Sequence, residues 1–227
     1  MKPKDMLCDS GAFISLTTAC LDEIIYFLSE KFGVRFIIPP SVEYEVVTRP
    51  LQGGLKQYYF SAIKIKSAIK NGVIVPVETD VSSQTQRILR SANGIFYAKG
   101  RPLQLIQQGE AEMLAMASVL DVHDILIDER TMRLLIESPF SIKDHLAEEF
   151  GVNIMVDKKA LGEFGAFTKG VTAIRSSELV MIAYENGFFD HFADLRREAL
   201  EAALLRVRFA GCSLRLDEID EYMKSVK

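Results

Sequence analysis

A chain of 227 residues, 48% hydrophobic and 26% charged, is long enough for one generous core or a core with an appendage, and too apolar for global disorder. Its formal net charge of -4 gives no whole-protein case for binding nucleic acid, so such a case must rest on how the charge is distributed. Three scattered cysteines, Cys8, Cys20 and Cys212, exclude a disulfide framework or a cysteine-rich zinc site and read as buried thiols in a reducing compartment.

No apolar run approaches the ~18 residues of a membrane span, and the opening Met1-Lys2-Pro3-Lys4-Asp5 lacks the apolar stretch of a secretory signal. The expectation is a cytoplasmic protein with no membrane partner. Met6-Leu7-Cys8 is a short strand ending at Asp9, followed by Ser10-Gly11 and a helix over Phe13 to Phe32. Val34 to Ile38 is a second strand, stopped by Pro39-Pro40, and Ser41 caps a helix over Val42 to Thr48. Pro50 and Gly53-Gly54 end that helix, Leu55 to Lys70 forms another, and Asn71-Gly72 closes it. Val73 to Val77 is strand-like, and Gln84 to Ser91 is helical.

Glu110 to Leu120 is a strong helix rich in alanine and methionine. Ile125 to Ile127 is a buried strand ending at Asp128, Glu129 begins the next helix, and Asn153 to Val156 is a further strand. From Thr172 onward the chain reads as three helical pieces, the last over Leu216 to Val226. Strands alternating with helices imply an α/β fold, three-layer α/β/α, with a central mostly parallel sheet and a helical C-terminal extension. In such sheets ligand sites form beyond the carboxyl ends of the strands, at the topological switch point.

Four acidic positions fit one picture. Asp9 and Asp128 each end an apolar strand, Glu45 lies one turn into the helix after Pro40-Ser41, and Glu110 opens the alanine-rich helix. Crowded carboxylates repel one another and rise in pKa unless a cation joins them, and hard Mg²⁺ or Mn²⁺ prefers oxygen ligands. A structural reading stands beside this one. Asp9 and Asp128 also suit helix N-caps, Glu110 suits the helix dipole, and Glu45 suits an exposed helix face. Glu112 competes with Glu110, from which it points about 200° away on a helix. Glu129 competes with Asp128, and Glu43 with Glu45.

These motifs carry a family resemblance. Leu7-Cys8-Asp9-Ser10-Gly11-Ala12-Phe13-Ile14 resembles the opening of PIN domains, and Ile38-Pro39-Pro40-Ser41-Val42-Glu43-Tyr44-Glu45-Val46 resembles their second motif. Gly109-Glu110-Ala111-Glu112, with Ala115 and Ala117, is similar to the third, and Leu126-Ile127-Asp128-Glu129-Arg130 to the fourth. Many PIN proteins carry aspartate where this chain has Glu110. The resemblance covers residues 5 to 137 and implies a metal-dependent endoribonuclease. In it Asp9, Glu45, Glu110 and Asp128 would hold Mg²⁺ or Mn²⁺ and catalyse, supported by Ser10, Glu112 and Glu129. It also implies RNA as substrate, an antitoxin or accessory protein as a plausible partner, and a plausible homodimer. The expected division is a nuclease domain over 1–157, with a basic insert at about 49–105, and a helical extension over 158–227 packing on the core.

The insert fits that expectation. Residues 49–101 hold Arg49, Lys56, Lys64, Lys66, Lys70, Arg87, Arg90, Lys99 and Arg101 against Glu78 and Asp80, a balance of +7 that leaves -11 elsewhere. A cationic wall attracts a phosphate backbone, and Tyr58, Tyr59 and Phe60 are positioned in sequence to stack bases. Helical lysines are equally common on a solvated face. His123, His145 and His191 form no His-x-x-x-His pattern, and the chain has no nucleophile elbow, P-loop or dinucleotide fingerprint. Two other readings stay open. One is a catalytically degenerate scaffold that binds RNA or a protein, and the other is a phosphatase-like or receiver-like protein, which the lack of an Asp-x-Asp pair at the first strand disfavours.

Overall fold

The computed structural model describes residues 4–53 and 56–226, and only the backbone of 149 and 150. Contact density divides the chain into two compact units. The first comprises Met1–Val77, Leu126–Asp128 and Ile174–Lys227, and the second Glu78–Ile125 and Glu129–Ala173. The units therefore interleave along the sequence and do not follow a cut at 157.

The first unit opens with β1 (Lys4–Cys8), α1 (Ser10–Thr18), α2 (Glu23–Phe32), β2 (Val34–Ile38) and α3 (Pro40–Glu43). A π turn (Tyr44–Thr48) leads into α4 (Arg49–Leu51), followed by a 3-10 turn (Lys56–Tyr58), α5 (Tyr59–Lys70) and β3 (Ile74–Pro76). The middle of the chain gives α6 (Ser82–Ala92), β4 (Phe96–Ala98), β5 (Arg101–Pro102), α7 (Gln108–Leu120) and β6 (Asp124–Leu126). Next come α8 (Arg130–Glu137), α9 (Pro139–Phe150), β7 (Ile154–Val156), α10 (Lys158–Thr168) and β8 (Thr172–Ile174). The chain then returns to the first unit with α11 (Ser176–Glu185), a 3-10 segment (Asp190–Leu195), α12 (Arg196–Ala210) and α13 (Leu216–Ser225).

The central sheet has five parallel strands in the order β3-β2-β1-β6-β8, so the α/β class and its three-layer architecture are as the sequence implies. β1 is central, and Met6, Leu7 and Cys8 are all buried, the continuous apolar run expected of a strand covered on both faces. It pairs with β2 from Lys4↔Val34 to Leu7↔Ile37, and β2 pairs with β3 from Phe36↔Ile74 to Ile38↔Pro76. The chain moves outward from β1 through β2 to β3, then resumes on the other side of β1 with β6 and β8. The switch in direction falls between β1 and β6. There the backbone N–H of Asp9 donates to the carbonyl of Leu126 at 2.9 Å.

One core joins the sheet to helices from both ends of the first unit. Phe13, Leu16, Ile24, Phe36, Ile38, Ile65 and Leu126 pack with Leu179, Ala183, Leu200, Leu204 and Val207. On α11, Ile182 is exposed at 36%, whereas Leu179 and Ala183 are buried. The second unit has its own antiparallel sheet in the order β5-β4-β7, with Phe96↔Val156 and Tyr97↔Pro102 in register.

Several local expectations change. The helix over Phe13 to Phe32 is two helices, because Cys20 takes a left-handed φ of 61° in the turn between them. That turn also leaves Cys20 exposed, whereas Cys8 and Cys212 are the buried free thiols the sequence implies. The helix after β2 starts at Pro40 with Pro39 as its cap, so Ser41 lies inside it. Pro50 does not end that helix. The π turn shifts the backbone pattern so that the N–H of Arg49 reaches the carbonyl of Tyr44, and Pro50 follows as an early residue of α4. Gly54 and Leu55, expected as a breaker and a helix start, lie outside the described residues. Thr172 onward begins with a strand, not a helix. Among the described residues no single helix is long and apolar enough to cross a membrane.

Candidate functional site

The switch point collects acidic side chains from three separate stretches of the first unit. Asp9 follows the last residue of β1 and caps α1, its Oδ2 accepting the N–H of Gly11 at 3.1 Å. Gly11 suits this turn because an added Cβ would meet that same oxygen at 3.1 Å. Asp128 stands two residues beyond β6 and is 2% exposed. Glu45 projects from the π turn after β2 and is exposed.

Electrostatics ties the three together. Burial pushes the Asp9 carboxyl up to about 6 from an ordinary 3.8, and the Glu45 and Asp128 charges push it the same way. The backbone N–H groups of Gly11 and Ser10 oppose that rise without cancelling it. Asp9 therefore caps α1 and also feels the charges of Glu45 and Asp128.

Asp128 is held by a residue the motifs do not contain. Ser176 donates its backbone N–H to Oδ1 at 2.7 Å and its hydroxyl to Oδ2 at 2.8 Å. A buried charge needs such partners, and hydrogen bonds to an ionised acceptor are the stronger ones. Ser176 follows β8, which lies beside β6, so strand order delivers the donor. A helical reading from Thr172 onward hides this donor, because β8 precedes it. The sequence signal was Ser176-Ser177-Glu178 ahead of Leu179, a helix start pointing back toward the sheet. Arg175, 3% exposed, anchors this start by pairing with Glu178 and with Glu218 of α13. Cys212 lies close by, and its thiol is pushed up to about 11 by burial and the Asp128 charge, so it stays protonated at neutral pH.

The remaining candidates are engaged locally. Glu110, in the second unit, turns back on its own helix, and its carboxylate accepts the N–H of Gln107 at 2.7 Å. Glu112 is half-buried on the same helix. Glu129 caps α8 by accepting the N–H of Met132 at 2.7 Å. Ser10 is 8% exposed, and its N–H is one of those that stabilise the Asp9 carboxylate. Among the described residues no three His, Cys, Asp or Glu side chains converge closely enough to ligate one metal ion as they stand.

The basic segment is shared between the units, Arg49 to Lys70 in the first and Arg87 to Arg101 in the second. Lys64 is paired with Asp22 at 2.6 Å. Tyr59 and Phe60 are surface residues, 47% and 67% exposed, and Phe60 lies under the Lys64 ammonium at 5.2 Å. No protein-family model, no curated protein and no solved structure matches this chain.

Proposed function

We propose that the protein is a metal-dependent endoribonuclease of PIN type. The observation that supports this most is that Asp9 and Asp128 follow neighbouring strands at the switch point of a parallel sheet, where Asp9 feels the charges of both Asp128 and Glu45. The donor set suits a hard divalent cation: two carboxylates at neighbouring strand ends and a third on a mobile-length side chain, with no sulfur or imidazole. Asp9 and Asp128 would hold Mg²⁺ or Mn²⁺, with Glu45 contributing directly or through water. When bound, such an ion activates water and stabilises charge on a phosphodiester under in-line attack. Ser176 fixes Asp128, and Gly11 and Ser10 hold Asp9 in its ionised form. Exposed Tyr59 and Phe60, with the lysines of α5, offer stacking and charge to a single strand.

The test is a Mg²⁺, Mn²⁺ and EDTA titration with a generic single-stranded RNA, comparing the natural protein with Asp9→Asn. Metal-dependent cutting that Asp9→Asn abolishes while the fold persists is the expected result. A second reading, a degenerate scaffold that binds RNA or a protein without cutting, is favoured by both oxygens of Asp128 being engaged by Ser176. RNA binding by both forms with no cleavage by either would select it. An antitoxin-like partner, a homodimer and a cytoplasmic address belong to the same proposal.

A further inference from the structure

We propose that the second unit carries a binding cleft for a nucleoside phosphate, separate from the acidic cluster and independent of the nuclease reading. A cleft of about 760 Å³ opens among α6, β4, α7 and α10, and every residue lining it belongs to that unit. This is the size range of small-ligand and cofactor sites. Arg87 and Arg90 lie three residues apart on α6, so both guanidinium groups project from one face. Lys159 adds a third cation from the first turn of α10.

The local charge is unbalanced in favour of an anion. Among the described residues neither arginine has an ion-pair partner, and Arg87 lies over the Phe167 ring at 5.3 Å, a contact that holds it across the cleft. The two acids of the lining are already engaged. Asp157 spends one oxygen on the N–H groups of Lys159 and Ala160, at 2.8 and 3.1 Å. Glu163 faces Lys159 at 4.0 Å in an exposed pair that contributes little. Paired arginines without carboxylate partners suit a phosphate, which they bind through forked hydrogen bonds.

The rest of the lining suits a flat organic body. Tyr97, Ala160, Ala166 and Phe167 supply apolar surface beside the cations. Gly94 fits the tight turn that ends α6, where an added Cβ would meet the Arg90 carbonyl at 2.9 Å. Inorganic phosphate would satisfy the arginines and leave the apolar part of the cleft unfilled. A nucleoside phosphate engages both, whether free or as the 5′ end of an RNA strand.

The experiment is calorimetric titration of the full chain with AMP, adenosine and inorganic phosphate, and with a short oligoribonucleotide carrying or lacking a 5′-phosphate. Expected are saturable AMP binding, at least about tenfold weaker binding of adenosine and of phosphate, and about tenfold loss in Arg87→Gln and in Arg90→Gln with unchanged melting temperature. Preference for the 5′-phosphorylated strand over AMP would identify the strand end as the source, and the reverse a free nucleotide. Asp9→Asn should bind AMP like the natural protein, which separates this site from the acidic cluster. Adenosine binding as tightly as AMP, undiminished binding by the Arg87→Gln/Arg90→Gln double variant, or no saturable binding at millimolar AMP would overturn the proposal.

Discussion

Ser176 grips both oxygens of Asp128, one with its backbone N–H at 2.7 Å and one with its hydroxyl at 2.8 Å. The backbone bond follows from where α11 begins, so only the hydroxyl can be removed by substitution. Ser176→Ala should lower stability by about 1–3 kcal/mol, the usual range for a hydrogen bond to a charged group left unmade in a buried site. Urea denaturation at pH 7 measures this, and Ser176→Thr should recover part of the loss. A stability equal to that of the natural protein would show that Asp128 finds another donor.

Asp9 should make the protein less stable as its carboxyl ionises. Its folded value of about 6 lies above the ordinary 3.8, so between those values the folded state holds the proton more tightly than the unfolded chain. The contribution is most favourable below 3.8 and is lost as pH rises through about 6. Because Asp9 is partly open to solvent, the effect at pH 7 is about 1–2 kcal/mol, below the full value of the shift. Asp9→Asn should therefore raise the melting temperature at pH 7 and flatten its dependence between pH 4 and 6. Millimolar Mg²⁺ or Mn²⁺ should stabilise the natural protein at pH 7 more than at pH 5, and should leave Asp9→Asn unmoved. An Asp9→Asn protein that melts lower at pH 7 would contradict the cost of burying this charge beside two others.

Arg175 is a structural charge. It reaches Glu178, Glu218, the Ser213 carbonyl and the Tyr222 hydroxyl, tying the start of α11 to α13. Arg175→Ala removes one sign from this network and strands the acids, at about 3–5 kcal/mol. Arg175→Met combined with Glu178→Gln and Glu218→Gln should restore much of that. Chemical denaturation of the single and triple variants tests it, and a single variant within about 1 kcal/mol of the natural protein would refute the assignment.

The exposed face of α5 should matter for RNA and not for folding. Phe60 is 67% exposed, so Phe60→Ala should leave the melting temperature within about a degree. If the strand stacks there, its affinity should fall by about 1–3 kcal/mol, read by fluorescence anisotropy with the metal chelated. Unchanged affinity would move the RNA path elsewhere.

The sequence by itself determined what neighbours along the chain can decide. Met6-Leu7-Cys8 and Ile125-Leu126 are strands because consecutive apolar residues fit a buried parallel sheet, and each leads within two residues to an aspartate. The alternation of such runs with helical ones was enough for the α/β class, and Asn71-Gly72 was enough to end α5. β4, β5 and β8 lack the run of branched apolar residues that marks β3, β6 and β7: they read Phe96-Tyr97-Ala98, Arg101-Pro102 and Thr172-Ala173-Ile174.

Only the tertiary structure decided who meets whom. Strand order placed β1 beside β6, and so Asp9 beside Asp128, and it put β8 on the far side of β6 so that Ser176 closes on Asp128 across 48 residues of chain. The same level of organisation gave Glu110 to a different unit from Asp9 and turned its carboxylate onto its own helix. Local periodicity cannot encode these outcomes. They are set by which apolar faces bury together, a free energy summed over residues far apart in sequence.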